Sequence, residues 1–537
     1  MMKYVFNFAI GLLLTLHVYA IPTRQVPITI TQPNGKTLTY IIKGDEVMSW
    51  AETMDKSLEI GIIKNTEEIY KSCPDEYKNL LKIMDSNQKI HDQEELVYLF
   101  NYYNMIEYPH IGIFGGSGSG KSYGLRVVIE ELMKKSVPTI VFDPHNQMVF
   151  KDRTLENYGV DFSDKFEVLK VGEDLGINFP DLNRYELISL IETQGELTES
   201  MKSAYEAILD KDSITQSSAN AFLDYLTTIS KALSDKEEDT TGYYERFSQL
   251  VNVDSLQAVI RRFNRLLNTD IFLNTSQKLF EALVDGKTVI IQGTQKMLNL
   301  YASYAVNTCY RKRRRYVDAI SSEYFPIICM VFDEAHNFCG SDQISVTRRI
   351  IKEIAQEGRK YGVFLILASQ RMAAIEQTTI AQLSTKFIFR ISTEKDLEVI
   401  RKETDLSSEE IRRLPYLSNG DVFISQAQIG KTLFARIRLA YTTQPKFKNP
   451  FDEMYRMLQI NVQKKNESDM ELFKMLKNDN VFPITLDLFR ICKIIEEKHS
   501  IKLNVSELEN KLNKLSDDGY ILKKKSIMGE SYFLREE

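Results

Sequence analysis

The 537-residue sequence predicts an α/β protein: a mostly parallel sheet with helices on both faces, a helical insertion and a small C-terminal unit. Three patterns carry that expectation. Short, uniformly apolar runs recur between residues 110 and 391, as strands buried on both faces require. Stretches with helical spacing alternate with them. A glycine-rich turn joins the first of these runs to the first of these helices.

The elements follow in order. His110–Phe114 reads as a strand and Tyr123–Lys135 as a helix. Val137–Phe142 is a second strand ending at Asp143-Pro144, and Phe166–Val171 a third. Residues 182–280 have a helical pattern and read as an insertion between two core segments, 106–181 and 281–442. Within it the charged stretch Ser230–Tyr244 reads as a mobile loop. Strands return at Thr288–Gln292, Ile327–Phe332, Val363–Ala368 and Phe387–Ile391. Helices lie between them at Met297–Val317, Val346–Lys360 and Thr378–Leu383.

Residues 443–469, with Gln444-Pro445-Lys446-Phe447-Lys448-Asn449-Pro450, suit a linker or arm. Residues 470–537 read as a separate winged-helix-like unit. Leu486–His499 and Val505–Asp517 are its amphipathic helices, and Gly519–Leu522 with Ser531–Leu534 its hairpin.

Composition bounds the function. A chain this long divides into two to four units. At 43% hydrophobic and 26% charged it is ordinary for a globular protein. A net charge of −6 excludes a protein that coats nucleic acid through bulk positive charge, so any DNA contact needs a local basic surface. The five scattered cysteines fit reduced thiols and a cytoplasmic body. The first twenty residues disagree: Lys3, the apolar run Val5–Val18 and Val18-Tyr19-Ala20 have the three regions of a secretory signal peptide. That run is shorter than the roughly 20 residues of a spanning helix, so no stable membrane anchor is expected. Residues 21–55 read as a β segment and residues 56–105 as polar and helix-like.

The turn carries the chemistry. Gly115-Gly116-Ser117-Gly118-Ser119-Gly120-Lys121-Ser122, followed by Tyr123, matches Gly-x-x-x-x-Gly-Lys-Ser after a strand and before a helix. Glycines let backbone amides turn toward an anion without Cβ clashes, and a helix N-terminus favours negative charge. Lys121 is placed for the β- and γ-phosphates of ATP and Ser122 for Mg²⁺. At the end of the apolar strand Ile327–Phe332 come Asp333 and Glu334. Adjacent carboxylates there fit a Mg²⁺ held by Asp333 and a water polarised by Glu334. These motifs define a RecA-like P-loop ATPase core with Mg²⁺ and ATP as cofactors. Asp143, expected beside the P-loop strand, fits either the same site or an Asp-Pro turn. Gln370 fits either a γ-phosphate sensor or a plain loop residue.

These motifs, in this order, resemble the HerA branch of the HerA/FtsK ATPases. The matching stretches are His110–Leu125, Val141–His145, Thr193–Met201, Val331–His336, Glu357–Gly362 and Ala368–Arg371. The resemblance covers about residues 105–445. It implies a hexameric ring that translocates double-stranded DNA with a nuclease or another effector. It implies too that Lys121, Asp143, Glu334 and Gln370 surround the nucleotide. ATP then lies between subunits, and Arg359 in Gly358-Arg359-Lys360 is the first candidate for an arginine finger from the neighbour, with Arg390 second. A packing role is the alternative for each. Such proteins carry an N-terminal β-barrel, which residues 1–105 do not suggest.

Residues 1–55 resemble instead the leader of a secreted immune-inhibitor-A-like metalloprotease, through Gln32–Leu38, Gly44–Glu46 and Trp50–Asp55. The zinc motif His-Glu-x-x-His occurs nowhere in the chain. The segment reads either as a foreign leader or as a β-hairpin turning at Asn34-Gly35. An exported protein is a further reading, but it gives an assembled ATP site no role.

Two basic groups bear on DNA. Arg311-Lys312-Arg313-Arg314-Arg315 is either a solvated helix end favoured by the dipole or a phosphate contact. Lys511, Lys514, Lys523, Lys524 and Lys525 would serve a DNA-binding winged helix, against the acidic Asp517, Asp518, Glu536 and Glu537. Beside the DNA motor stands a second reading: an ATP-gated scaffold ring that activates an effector, as in antiphage defence, without processive translocation.

Overall fold

The computed structural model describes residues 27–31, 37–43, 46–49 and 54–535, apart from 74, 212–217, 238, 274, 276, 343–344, 446–448, 486 and 527–528. The signal-like segment 1–20 and the Asn34-Gly35 turn lie outside the described residues. The chain forms two units, Met1–Pro445 and Lys446–Glu537.

In the first unit β1 (Pro27–Thr31), β2 (Thr37–Lys43) and β3 (Glu46–Ser49) form a small antiparallel sheet, with Thr31 opposite Thr37. The body of the unit is a larger sheet. Its strands are β4 (Ser57–Ile63), β7 (Leu96–Asn101), β8 (Ile111–Phe114), β9 (Thr139–Asp143), β10 (Phe166–Lys170), β11 (Thr288–Gln292), β12 (Ile328–Phe332), β13 (Val363–Ser369), β14 (Thr385–Ile388), β15 (Asp421–Gln426) and β16 (Lys431–Ile437). The ribbon β5 (Lys82–Met84) and β6 (Ile90–Asp92) is separate. Across the larger sheet the order is β10-β11-β9-β12-β13-β8-β14-β15-β16-β4-β7. Neighbours from β10 to β14 are parallel, and those from β14 to β7 antiparallel.

The parallel strands β8, β9, β11, β12 and β13 are buried along their whole length, and so read as continuous apolar runs. Their side chains alternate between two cores. Ile366 of β13 joins Ile113, Val141 and Val331 beneath helix α1 (Lys121–Lys134), which contributes Leu125, Val128 and Leu132. Leu365 and Leu367 face the opposite core with Met330, Phe332 and Phe142. That face is covered by the insertion helices α2 (Arg184–Glu192), α3 (Glu199–Lys211), α4 (Ala219–Ser234), α5 (Val253–Leu267) and α6 (Gln277–Val284). It is covered too by α7 (Gln295–Val317) and α8 (Val346–Tyr361). The α/β fold expected from the sequence is therefore present: a mostly parallel sheet covered on both faces.

In the first unit four expectations need correction. Residues 56–105 are not mainly helical: β4 and β7 complete the far edge of the large sheet. β4 is buried at all but its last residue, which hides the alternation of a half-exposed strand, and its Glu59 is satisfied by Lys134 Nζ at 2.8 Å. Gly61 permits this pairing, because a Cβ there would lie 2.0 Å from the Arg436 carbonyl oxygen. The loop expected over Ser230–Tyr244 is shorter, since α4 runs to Ser234. Phe389–Ile391 do not belong to a strand, because β14 ends at Ile388 and the chain turns there toward Gly115-Gly116. β9, finally, is not beside β8. It pairs with β11 and β12, so Asp143 ends a strand three positions removed from the P-loop strand, with β12 and β13 between.

Besides Lys121, three charged residues are buried in α1: Arg126, Glu130 and Glu131. Arg438 answers the two carboxylates, with Nη2 at 3.2 Å from Glu130 Oε2 and 2.9 Å from Glu131 Oε1. Its Nε donates to the Glu59 carbonyl at 2.9 Å, and its plane stacks on Tyr441 at 3.7 Å. Glu130 also accepts from the amides of Tyr441 (2.9 Å) and Thr442 (2.8 Å). The P-loop helix is thus pinned to the chain leaving β16.

The second unit contains α9 (Pro450–Asn478), α10 (Leu488–His499), α11 (Val505–Asp517) and the hairpin β17 (Ile521–Ser526) with β18 (Gly529–Leu534). An Ile484–Tyr532 bridge adds an edge to the hairpin. Leu476, Ile495, Leu508, Leu512, Ile521 and Tyr532 form its core. Within 443–469, the expected linker, α9 instead starts at Pro450, where Asn449 caps it and proline suits the first turn. Among the described residues, no helix is long and apolar enough to cross a membrane. All five cysteines are free and buried.

Two stability measurements follow. Replacing Arg438 by Ala strands two buried carboxylates, so it should cost about 3–5 kcal/mol and lower the melting temperature clearly. A wild-type melting temperature would remove the clamp from this account. His110 is buried, accepts from Leu365 N at 3.0 Å through Nδ1, and faces the Ala355 carbonyl through Nε2 at 3.0 Å. Burial pushes its pKa down to about 4. A depressed histidine pKa means the folded state resists a proton that the unfolded state accepts near 6.5. Its stabilising share is therefore complete above about 6.5 and eroded as pH falls toward about 4, by roughly 3 kcal/mol in all. Chemical denaturation across pH 4–7 should show a shallower acid slope in His110→Asn than in wild type.

Candidate active site

The strand order brings three tips together at the C-terminal edge of the sheet, where ligands bind in such folds. β13 lies between β8 and β12, with Ser369 opposite Phe114 and Leu367 opposite Phe332. The residues that follow these tips, Gly115, Gln370 and Asp333-Glu334, therefore share one edge.

The P-loop turns sharply because two of its glycines adopt left-handed backbone, Gly118 at φ 67° and Gly120 at φ 99°. It is packed from below as well. A Cβ on Gly115 would lie 2.5 Å from Ser119 Oγ, and one on Gly124 would lie 2.5 Å from the Phe389 ring. Gly116 N donates to the Arg390 carbonyl at 2.9 Å, and Gly420 N to that of Ser119 at 3.4 Å. Ser117 is exposed and Ser122 half-buried. Tyr123 turns away from the loop's mouth, its hydroxyl accepting from Ala440 N at 2.6 Å.

Lys121 opens α1 and is 4% exposed, yet its ammonium is satisfied. Nζ donates to Asp333 Oδ1 at 2.8 Å and to Glu334 Oε1 at 3.2 Å. Gln370 Nε2 donates to the same Glu334 oxygen at 2.7 Å. Glu334 sits at φ 49°, a strained conformation for a residue with a side chain, and the kind that collects at functional sites. Burial pushes its carboxyl pKa up. The Lys121 charge and the bonds from Gln370 and Lys121 outweigh that and leave it below the ordinary value. Glu334 is thus an ionised carboxylate in a nearly dry setting, as a proton acceptor needs.

The donor set fits Mg²⁺ with a nucleotide. Asp333 Oδ2 is buried with no hydrogen-bond partner. Among the described residues no cluster of three His, Cys, Asp or Glu could hold a metal alone. Mg²⁺ takes one or two protein ligands and completes its shell with phosphate oxygens and water, so Asp333 with Ser122 suffices.

The remaining candidates make no hydrogen bond to the Lys121, Asp333, Glu334 and Gln370 side chains. Asp143 is fully buried, and its carboxylate accepts from the amides of His145, Gln147 and Met148 and from Gln292 Nε2, at 2.9–3.3 Å. It caps its own loop, the Asp-turn alternative. Arg359 is exposed near the end of α8, with Nη1 3.3 Å from the Glu107 carbonyl. Glu107 precedes β8, so Arg359 stands at the N-terminal edge of the sheet, away from the P-loop of its own chain. Arg390 touches that P-loop directly: Nη2 donates to the Gly118 carbonyl at 2.9 Å. The sequence reading gave His336 no role. It stands with Nδ1 3.0 Å from Ser369 Oγ and 3.4 Å from Glu334 Oε2. Its signal was present, two residues beyond Glu334 in the same motif.

Most of the basic groups are already engaged. Arg311 pairs with buried Glu186 at 2.6 Å, Arg313 donates to the Tyr361 and Phe325 carbonyls, and Arg314 faces Asp318 and Glu353. In the second unit Lys511 and Lys514 both bind Asp469, while Lys523 and Lys525 bind Glu530. Lys524 is exposed over Phe533.

Fold and site together define a P-loop ATPase with a RecA-like core. A family model described as "Helicase HerA, central domain" matches residues 76–312. The DNA double-strand break repair helicase HerA of Pyrococcus furiosus is 26% identical over 408 residues, 68% of this chain and 72% of that one. The HerA helicase of Sulfolobus acidocaldarius is 22% identical over 335 residues, 59% of this chain and 62% of that one. Of solved structures, the plasmid coupling protein TrwB with ADP and Mg²⁺ is similar at a TM-score of 0.45 and 11% identity. That match covers 73% of this chain and 97% of that one. The chain thus resembles the HerA-like branch of the HerA/FtsK P-loop ATPases, most directly over residues 76–312.

Glu334→Gln keeps the shape of the site and removes its proton acceptor. Steady-state ATP turnover should fall by about 10²–10⁴-fold with nucleotide binding retained. Turnover at the wild-type rate would exclude Glu334 from the chemistry.

Proposed function

We propose that this chain is an ATP-driven motor of the HerA type, assembled as a hexameric ring that translocates or unwinds double-stranded DNA with a nuclease or another effector. The observation that carries the reading is the junction of Lys121, Asp333, Glu334 and Gln370 at three adjacent strand tips. The P-loop amides of residues 115–122 hold the ATP phosphates, with Lys121 on the β- and γ-phosphates. Tyr123, the ninth residue read into the cradle, supports it from behind.

Ser122 and Asp333 would hold Mg²⁺, which when bound would neutralise charge on the phosphates. Glu334 orients the attacking water and takes its proton on a carboxylate oxygen. Gln370 moves between Glu334 and the γ-phosphate, so the β13 tip reports whether that phosphate is present. Asp143 acts indirectly, by holding the 144–148 loop.

Arg359, at the far edge of the sheet, is the finger candidate that must act on a neighbour's nucleotide and not on its own. Arg390 braces its own P-loop. The relatives support DNA as the track, being described as DNA double-strand break repair helicases. The engaged basic groups point away from the second unit and the Arg311–Arg315 run as the main DNA contact. A motor of this kind would work in the cytoplasm.

Native mass spectrometry of the purified chain with ATP and duplex DNA should report six copies with DNA bound, along with any co-purifying effector. ATP turnover should rise severalfold on adding duplex DNA. Unchanged turnover, with ATP-dependent activation of a partner, would favour a scaffold ring.

A further inference from the structure

We infer that His336 is a positioning residue: its Nδ1–H is shared between Ser369 Oγ and Glu334 Oε2, and so ties the Gln370-bearing turn to the base. The inference rests on the reading of Glu334 as the water-activating carboxylate. It starts from hydrogen-bond arithmetic at Ser369. That hydroxyl faces the Arg371 carbonyl at 3.2 Å, the Arg371 amide at 3.0 Å and His336 Nδ1 at 3.0 Å. A hydroxyl has one proton and two acceptor sites. The carbonyl can only accept, so it takes the hydroxyl proton. The amide can only donate, which leaves one acceptor site for His336. Nδ1 must therefore carry the hydrogen.

The same N–H lies 3.4 Å from Glu334 Oε2, an oxygen that is buried and has no hydrogen bond of its own. The other oxygen, Oε1, already takes Lys121 and Gln370. The carboxylate is thus fixed from one side by P-loop and sensor, and on the other side His336 is the group that stands against its free oxygen.

The backbone sets up this relation. Glu334 at φ 49° is followed by Ala335, whose amide donates to the Ala368 carbonyl at 2.8 Å, and His336 opens the short helix His336–Cys339. His336 is thereby held beside the β13 tip. A displacement of Ser369-Gln370-Arg371 changes the bond at Ser369 Oγ and shifts the Nδ1–H toward or away from Glu334. Small errors in the placing of a reacting group are costly, up to about 10²-fold for 1 Å.

The test compares His336→Ala, His336→Asn, Ser369→Ala and the His336→Ala/Ser369→Ala double variant in the full chain. Single-turnover ATP hydrolysis and the Kd of a non-hydrolysable ATP analogue are measured, with thermal unfolding as a check on folding. Asparagine sets an N–H close to the position of Nδ1. His336→Ala should lose about tenfold or more in rate with Kd within about twofold of wild type. His336→Asn should recover most of that loss, and the double variant should be no slower than His336→Ala alone.

A wild-type rate in His336→Ala overturns the inference, as does an equal loss in the Asn and Ala variants or a Kd that rises in step with the lost rate. Glu334→Gln separates the two levels. If it hydrolyses normally, the reading of Glu334 fails. If it is inactive while His336→Ala is not, only the His336 inference fails.

Discussion

The buried Arg438 guanidinium, set between Glu130 and Glu131, is the contact on which the rest of the first unit depends. Helix α1 begins with the lysine of the P-loop, so any rocking of the helix moves Lys121. Hydrophobic packing of Leu125, Val128 and Leu132 holds one side of the helix, but apolar contact is not directional. Two carboxylates on successive residues, each answered by the same fork and by backbone amides of Tyr441, Thr442 and Glu59, fix its rotation and its height. The same cluster joins β4, α1 and the strand exit after β16. Segments about 380 residues apart in the chain therefore close one structure, as the Arg438–Glu59 contact shows.

On that base the active site is assembled by strand order. A parallel sheet gives every strand the same polarity, so the loops after β8, β13 and β12 emerge side by side. Lys121, Gln370 and Glu334 meet because β13 lies between the other two. The polar cluster is self-satisfying: the lysine lies against two carboxylates, and the glutamine against one. Two oxygens remain without hydrogen bonds, Asp333 Oδ2 and Glu334 Oε2. They lie on the two residues assigned to the metal and to the water. The residues that hold charge and those that would handle substrate are the same few side chains, so a nucleotide entering the site has to redistribute bonds already made. Gln370 and His336 are the groups most directly placed to respond.

Several features were legible in the sequence because they depend on local pattern. The strands from His110 to Ala368 announce themselves as apolar runs, since strands buried on both faces have no polar side to show. The P-loop is legible because glycine at left-handed positions and lysine at the helix start leave few alternatives. β4 and β7 were not legible. Glu59 and Gly61 interrupt the pattern, and their reasons, Lys134 and the Arg436 carbonyl, lie far off in sequence. For Arg390 and Asp143 the sequence left two readings each, and the structure shows the arginine donating to its own P-loop and the aspartate consumed by the loop that follows it.

By itself, then, the sequence determined the α/β class, the phosphate-binding turn and the acidic strand end that faces it, because periodicity and glycine placement act over a few residues. Only the tertiary structure decided that β13 separates the two halves of the site. It alone put Asp143 three strands from the P-loop, made Arg359 remote from its own nucleotide site and gave His336 a place beside Glu334. Those facts are set by strand order and by hydrogen bonds between residues tens to hundreds of positions apart. A local pattern carries no record of either.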